Sequence, residues 1–345
     1  MAGRSLALGY LGVGLFFVLS GYLITGVLIG VRNEAEQRGL PRRQAMVPFY
    51  VRRLLRLAPA LYVYLLVVWA LGIISSAADL PWYFLYAGNL KATIDQDWFA
   101  GTAHLWSLAV EEQFYAVMPL LVLLLKRRVQ VATFLAVIGV GIIIPVRFVL
   151  LPPTAFMGLS VGCLLALAAA SVEAKRLDLL SRLSLPGIGL WFVSAHFLLE
   201  SRDLAAADRL VDLLGYLSMA GVVWYAAKGG ASVVGRLLEA RIVVWLGGIS
   251  YGLYLWHEAA AAMLRVASDD RILDLPALLS VPLLAALTVG LAALSARLIE
   301  AAPMQLKDRF PYLPKPDVVP SAPVARKHDG HDIDAVATLD DKYLV

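Results

Sequence analysis

Leu105-Trp-Ser-Leu-Ala-Val-Glu-Glu-Gln-Phe-Tyr115 runs without interruption into Ala116-Val-Met-Pro-Leu-Leu-Val-Leu-Leu-Leu125, and Lys126, Arg127 and Arg128 stop it. A helix needs about 20 mostly apolar residues, rising about 1.5 Å each, to cross the roughly 30 Å hydrocarbon core of a bilayer. Only Glu111, Glu112 and Gln113 break the apolar character. A carboxylate at such a depth costs roughly 2.5–3.5 kcal/mol on insertion scales, so it asks for a reason. The stretch reads as a membrane helix that keeps its acids for a purpose.

Working outward, further apolar runs lie near 9–30, 54–74, 129–150, 154–172, 184–199, 210–227, 243–265 and 275–298, each close to the length of a span. The 345 residues are 60% hydrophobic and only 16% charged, with a mean hydropathy of +0.74. A soluble domain carries about a quarter charged residues, so the composition excludes a water-soluble enzyme. It predicts an all-α, polytopic membrane helix bundle of nine spans. The net charge is +4, yet the basic residues sit between apolar runs, which fits orientation in a bilayer and not nucleic-acid binding. The single Cys163 excludes an intrachain disulfide and reads as an inert buried residue. No metal-spaced cluster, phosphate loop or dinucleotide fingerprint is present, so neither a metal nor a permanently bound cofactor is expected.

Lys and Arg accumulate on the cytoplasmic side of short loops. The loop after the first run carries Arg32, Arg38, Arg42, Arg43, Arg52, Arg53 and Arg56, and alternation puts Lys126–Arg128 and Lys175, Arg176 and Arg182 inside as well. Asp79, Asp95, Asp97, Asp203 and Asp208 fall outside. This alternation supports nine spans, a cytoplasmic C-terminus and an outer Met1. An unprocessed outer N-terminus points to a preceding span missing from this sequence. Residues 1–303 are expected to form the membrane domain, and 304–345, rich in proline beyond 311, a disordered cytoplasmic tail.

At about 100° per residue, His104, Ser107, Glu111 and Tyr115 share one helical stripe, and Glu112 lies well off it. Ser250, Tyr254 and His257 form a second stripe in the eighth run. Depth counting puts Glu111 and His257 at similar levels in the outer third. If the stripes face each other, a carboxylate and an imidazole meet in a low-dielectric pocket suited to acid–base work. The plainer alternative is interhelical glue, with His104 a helix-start residue and His196 a lone histidine near an outer boundary. At the inner start of the second run, Phe49-Tyr-Val-Arg-Arg-Leu-Leu-Arg-Leu-Ala-Pro59 places Arg52, Arg53 and Arg56 where guanidinium forks and free helix N–H groups favour phosphate. Glycines in the first and fifth runs, among them Gly21 and Gly162, read as sites of close helix packing.

Taken in order, Gly12–Ile24, Phe49–Pro59, His104–Tyr115 and Ile249–His257 resemble acyltransferase family three, the integral-membrane acyltransferases that decorate bacterial surface glycans and some secreted small molecules. Leu298-Ile-Glu-Ala-Ala-Pro303 is a weaker match. The resemblance implies ten helices in the bacterial cytoplasmic membrane and an acyl-coenzyme A co-substrate, commonly acetyl. The acceptor would be a hydroxyl on a glycan, glycolipid or small molecule. By position, Arg52, Arg53 and Arg56 would hold the donor's phosphates. Trp106, Ser107, Glu111 and Tyr115 would line the site with His104 at its rim, and Ser250, Tyr254 and His257 would complete it. Family members begin with a helix bearing an Arg and, eleven residues on, a His taken as the catalytic base. No such helix precedes Gly12, and the first histidine is His104. Within this chain the base would be His257, oriented by Glu111. The rival expectations are a transporter or flippase of lipid-linked saccharides, or an inactive truncated acyltransferase.

Overall fold

The computed structural model describes residues 2–74, 76–95, 101–144, 155–171, 174–198, 205–229, 233–268 and 276–314. Among them there are helices and no strands. In chain order the helices are α1 (Ala2–Gln37), α2 (Met46–Ala70), the short pair α3 (Leu80–Phe84) and α4 (Gly88–Asp95), α5 (Leu105–Pro119), α6 (Arg127–Ile143) and α7 (Met157–Ala169). They continue with α8 (Ala174–Leu198), α9 (Ala205–Ala227), α10 (Val233–Leu238), α11 (Arg241–Gly248), α12 (Ser250–Ser268), α13 (Ala277–Ser295) and α14 (Ala301–Leu306).

Every apolar run of the sequence coincides with helix wherever its residues are described. Among the described residues, five stretches are long and apolar enough to cross a membrane: Leu11–Gln37, Arg42–Ala70, Leu105–Leu124, Arg209–Ala227 and Leu278–Arg309. The expected nine is therefore met by five on length and composition alone. The other four runs fall on shorter or more polar helices, such as α7 with 13 residues.

Two packing features position the central helix α5. First, α5 runs on through a π-helical turn at Leu120–Leu124, which leaves carbonyls without intrahelical partners. Arg32 of α1 donates to the carbonyls of Val122 (3.0 Å) and Leu125 (2.8 Å), and Gln130 of α6 donates to the same two at 3.1 and 2.9 Å. Second, α1 crosses α7 backbone to backbone. A Cβ on Gly21 would lie 2.1 Å from the Leu159 carbonyl oxygen, and one on Gly162 would lie 2.0 Å from that of Val18. Small residues permit this approach where dispersion and hydrogen bonds drive helix association. Cys163 sits fully buried at the same crossing, as expected of an inert small side chain.

The segment α3–α4 is tied down onto α5. Gln113 and the fully buried Asn89 exchange amide hydrogen bonds of 2.8 and 3.2 Å, and Gln113 also donates to the Tyr86 carbonyl at 2.8 Å. Asp95 and Asp79 flank Lys91 in this segment and hold its ammonium above the ordinary lysine value.

At the other end, ordered structure continues past the position where the tail was expected to begin. After α14 a 3-10 turn at Lys307–Arg309 leads to Tyr312 and Leu313, and Leu313 is buried in the cluster that holds Val31, Ala35, Ala45 and Phe49. Arg38 fixes the end of this strap by donating to the Pro314 carbonyl at 2.5 Å. Residues 315–345 lie outside the described part, as does the side chain of His196.

Candidate active site

The acidic stripe of α5 meets the arginines of α2. Glu111, 4% exposed, accepts a hydrogen bond from the Tyr115 hydroxyl at 2.5 Å, and its Oε1 lies 3.3 Å from Arg53 Nη2. Glu112 Oε1 accepts from Arg53 Nε at 2.6 Å. The guanidinium carbon stands 3.6 Å from the centre of the Tyr115 ring. Consecutive helix positions point about 100° apart, so one small cation could not serve both acids, whereas a planar fork with donors on separate edges can. Arg56 stands one turn further along α2.

This contact corrects the expected separation of an inner basic mouth from an outer-third stripe. Arg53 lies seven residues into α2 and Glu111 six into α5, each roughly 10 Å along its helix, and the long arginine arm closes the remaining gap.

A second cluster lies between the first turn of α5 and α12. Tyr254 donates its hydroxyl hydrogen to the His104 carbonyl, so Ser107 is the donor in the 2.8 Å contact between the Ser107 and Tyr254 hydroxyls. The His257 Nδ1 lies 2.6 Å from the carbonyl oxygen of Tyr254. A carbonyl can only accept, so Nδ1 carries the proton and Nε2 keeps its lone pair. The rings of His104 and His257 stand 4.8 Å apart, edge to face.

The two stripes thus meet, but through Ser107 and Tyr254. Glu111 is turned to Arg53 and Tyr115, and His257 to Tyr254 and His104, so the expected direct Glu111–His257 pair is replaced by two adjoining clusters. His104 occupies the N-cap position of α5 without capping any backbone N–H through its side chain.

The three arginines part company. Arg52, 7% exposed, reaches the carbonyls of Lys307 (3.3 Å) and Phe310 (3.4 Å) and lies 4.7 Å from the centre of the Tyr312 ring. It anchors the strap. Arg56 instead lines a cleft of about 160 Å³ together with Ser250, Tyr251, Glu300 and Met304. Tyr251 closes one wall by donating to the Leu57 carbonyl at 2.8 Å. Trp106 turns away from both clusters and packs edge-on against Phe17 of α1 at 5.9 Å.

Two acids escaped the sequence reading. Glu112 was set aside as off the stripe, although it makes the shorter of the two contacts with Arg53. Glu258, the neighbour of His257, places its Oε2 3.3 Å from His104 Nδ1. Helical phase alone could have offered Glu112, since a guanidinium spans adjacent positions. Nothing in the sequence pattern marks Glu258. Among the described residues no group of three or more metal-ligating side chains forms.

Fold and site together define a multi-pass membrane protein that buries acid, imidazole and guanidinium groups between its helices. The family model of acyltransferase family three, described as an acyltransferase domain, matches residues 2–297, and the chain belongs to that family. It is 28% identical over 286 residues to the peptidoglycan O-acetyltransferase OatA of Listeria monocytogenes, covering 72% of this chain and 44% of that protein. It is likewise 28% identical over 282 residues to the O-acetyltransferase OatA of Staphylococcus aureus strain NCTC 8325, covering 72% and 45%. A putative O-acetyltransferase of S. aureus strain COL is 27% identical over 309 residues, covering 74% and 47%. The chain spans less than half the length of these relatives. No solved structure matches it.

Proposed function

We propose that the chain moves an acyl group, acetyl in the first instance, from acyl-coenzyme A to a hydroxyl of a cell-envelope glycan. It does so as a nine-span protein of the bacterial cytoplasmic membrane with a cytoplasmic C-terminus. The family assignment and the O-acetyltransferase activity named for its relatives support the reaction class. The charge alternation of the loops supports the topology, with α6, α7, α8 and the α11–α12 pair supplying the four shorter crossings.

The observation that carries the chemistry is the fixed tautomer of His257. With Nδ1–H held on the Tyr254 carbonyl, Nε2 is the basic nitrogen, on an exposed side chain. It takes the proton of the acceptor hydroxyl as the oxygen attacks the thioester carbonyl. The carbon–sulfur bond then breaks, the coenzyme thiolate leaves, and the proton passes from Nε2 to that sulfur. Arg56 in its cleft receives a donor phosphate, and Arg53 and Tyr115, held by Glu111 and Glu112, form the wall between donor and acceptor ends. Glu111 works through Arg53 and Tyr115, not on His257. The test is transfer from radiolabelled acetyl-coenzyme A to peptidoglycan fragments in membranes containing His257→Ala or Glu111→Gln protein. Loss of about 100-fold or more is expected for His257→Ala, the scale of a proton-transfer group. Undiminished transfer by both variants would refute the assignment.

A further inference from the structure

His104 is a buried imidazole with no assigned work. Its side chain is 6% exposed, and neither Nδ1 nor Nε2 has a hydrogen-bond partner among the described residues. Four groups fix the ring. Tyr64 meets it at 5.8 Å and 89°, Tyr254 at 5.2 Å and 66°, His257 at 4.8 Å and 71°, and Glu258 brings a carboxylate oxygen to 3.3 Å from Nδ1. Aromatic neighbours restrict the plane of an imidazole, but they leave the flip about its own axis, which exchanges nitrogen for carbon at the edges, nearly free. Among the described residues, the Glu258 carboxylate is the group that distinguishes the two ring edges.

We propose that Glu258 and His104 form a positioning pair for His257: the carboxylate holds the His104 ring in one orientation, and that ring fixes the plane in which His257 presents Nε2. The inference rests on His257 being the base. Glu258 follows His257 directly on α12, so the two side chains diverge by about 100° and the carboxylate cannot orient its neighbour by itself. It reaches across to α5, and the His104 ring returns the constraint to His257. The Tyr254 hydroxyl closes the loop by binding the His104 carbonyl, so α5 and α12 are joined on both sides of the ring pair. His257 is also held by the Tyr254 carbonyl 2.6 Å from Nδ1 and by the Tyr254 ring at 6.1 Å and 46°, so the His104 ring at 4.8 Å is the nearer of two aromatic neighbours that set its tilt.

The test uses the full chain in membranes, with acetyl-coenzyme A and peptidoglycan fragments as probes, and reads kcat and the donor KM separately. Glu258→Ala is expected to lower kcat about tenfold, below the roughly 100-fold or more of a proton-transfer group, with donor KM unchanged. Glu258→Gln keeps an acceptor oxygen and is expected to restore kcat to within about twofold of the parent. Adding Glu258→Ala to His104→Phe should cost nothing further, because residues acting as one unit are non-additive. Losses that multiply in the double variant, or equal losses for Ala and Gln, would overturn the pair. So would a normal kcat in Glu258→Ala beside an inactive His257→Ala. Full activity of His257→Ala would instead refute the base itself, and the pair with it.

Discussion

Removing Arg53 should damage the fold more than removing either acid it binds. Its guanidinium side chain is 14% exposed, and it faces Glu111 and Glu112 side chains that are 6% and 16% exposed. Breaking a buried pair by deleting one partner leaves an uncompensated charge and costs about 3–5 kcal/mol, whereas replacing both partners with apolar groups is often neutral. Here the deletion strands two adjacent carboxylates and also removes a stacked contact on Tyr115. Arg53→Met is therefore expected at the upper end of that range. At roughly 2–4 °C per kcal/mol for a chain of this order, the melting temperature should fall on the order of 10 °C. Glu112→Gln alone leaves Arg53 its second acid and should cost about 1–2 kcal/mol, the scale of one charge-assisted hydrogen bond. The double variant Arg53→Met/Glu112→Gln relieves one of the two stranded charges and should be more stable than Arg53→Met. The assay is thermal unfolding of the four proteins purified in one detergent, followed by tryptophan emission. If Arg53→Met melts with the parent, or if the double variant melts below Arg53→Met by the full cost of Glu112→Gln, the three groups are not a buried unit.

Arg56→Ala and Arg52→Ala should separate in kind. The first empties the cleft of its cation and should raise donor KM about tenfold, the scale of one lost charge-assisted contact, with an unchanged melting temperature. The second releases the Lys307–Tyr312 strap and should appear as faster proteolysis beyond α14 with donor KM little changed. Parallel changes in both readouts for both variants would contradict the division. At the α1–α7 crossing, Gly162→Ala puts a methyl against the Val18 carbonyl and should destabilise by about 1–3 kcal/mol, whereas Gly139→Ala, with nothing within 4 Å of its Cβ, should not. Comparable melting temperatures for those two would show that the helices are not in backbone contact.

What was legible in the sequence was direction. Helical phase brought Ser107 of α5 to face Tyr254 of α12, paired Glu111 with Tyr115 one turn on, and marked Gly21 and Gly162 as sites of close approach. Phase describes where a Cα–Cβ bond points, not how far a side chain reaches. Arg53 shows the difference, since its arm crosses from the second turn of α2 to acids on the second turn of α5, and its fork donates to Glu112 at 2.6 Å while standing 3.3 Å from Glu111. Arg52, Arg53 and Arg56 likewise part by reach, Arg53 to Glu111 and Glu112, Arg56 to the cleft, and Arg52 to the Lys307–Tyr312 strap. Its partner was hidden in a stretch whose prolines signalled disorder, although Tyr312 and Leu313 are the residues by which a strap could be held. The hydropathy count of five against the expected nine has a related cause. Hydropathy sums a window without regard to burial, and helices such as α12, whose Leu255, Trp256, Ala259 and Ala260 are packed inside the bundle, need not be apolar on every face. The residues that sequence reading missed are therefore those whose meaning depends on a neighbour from another helix: Glu112 on Arg53, and Glu258 on His104.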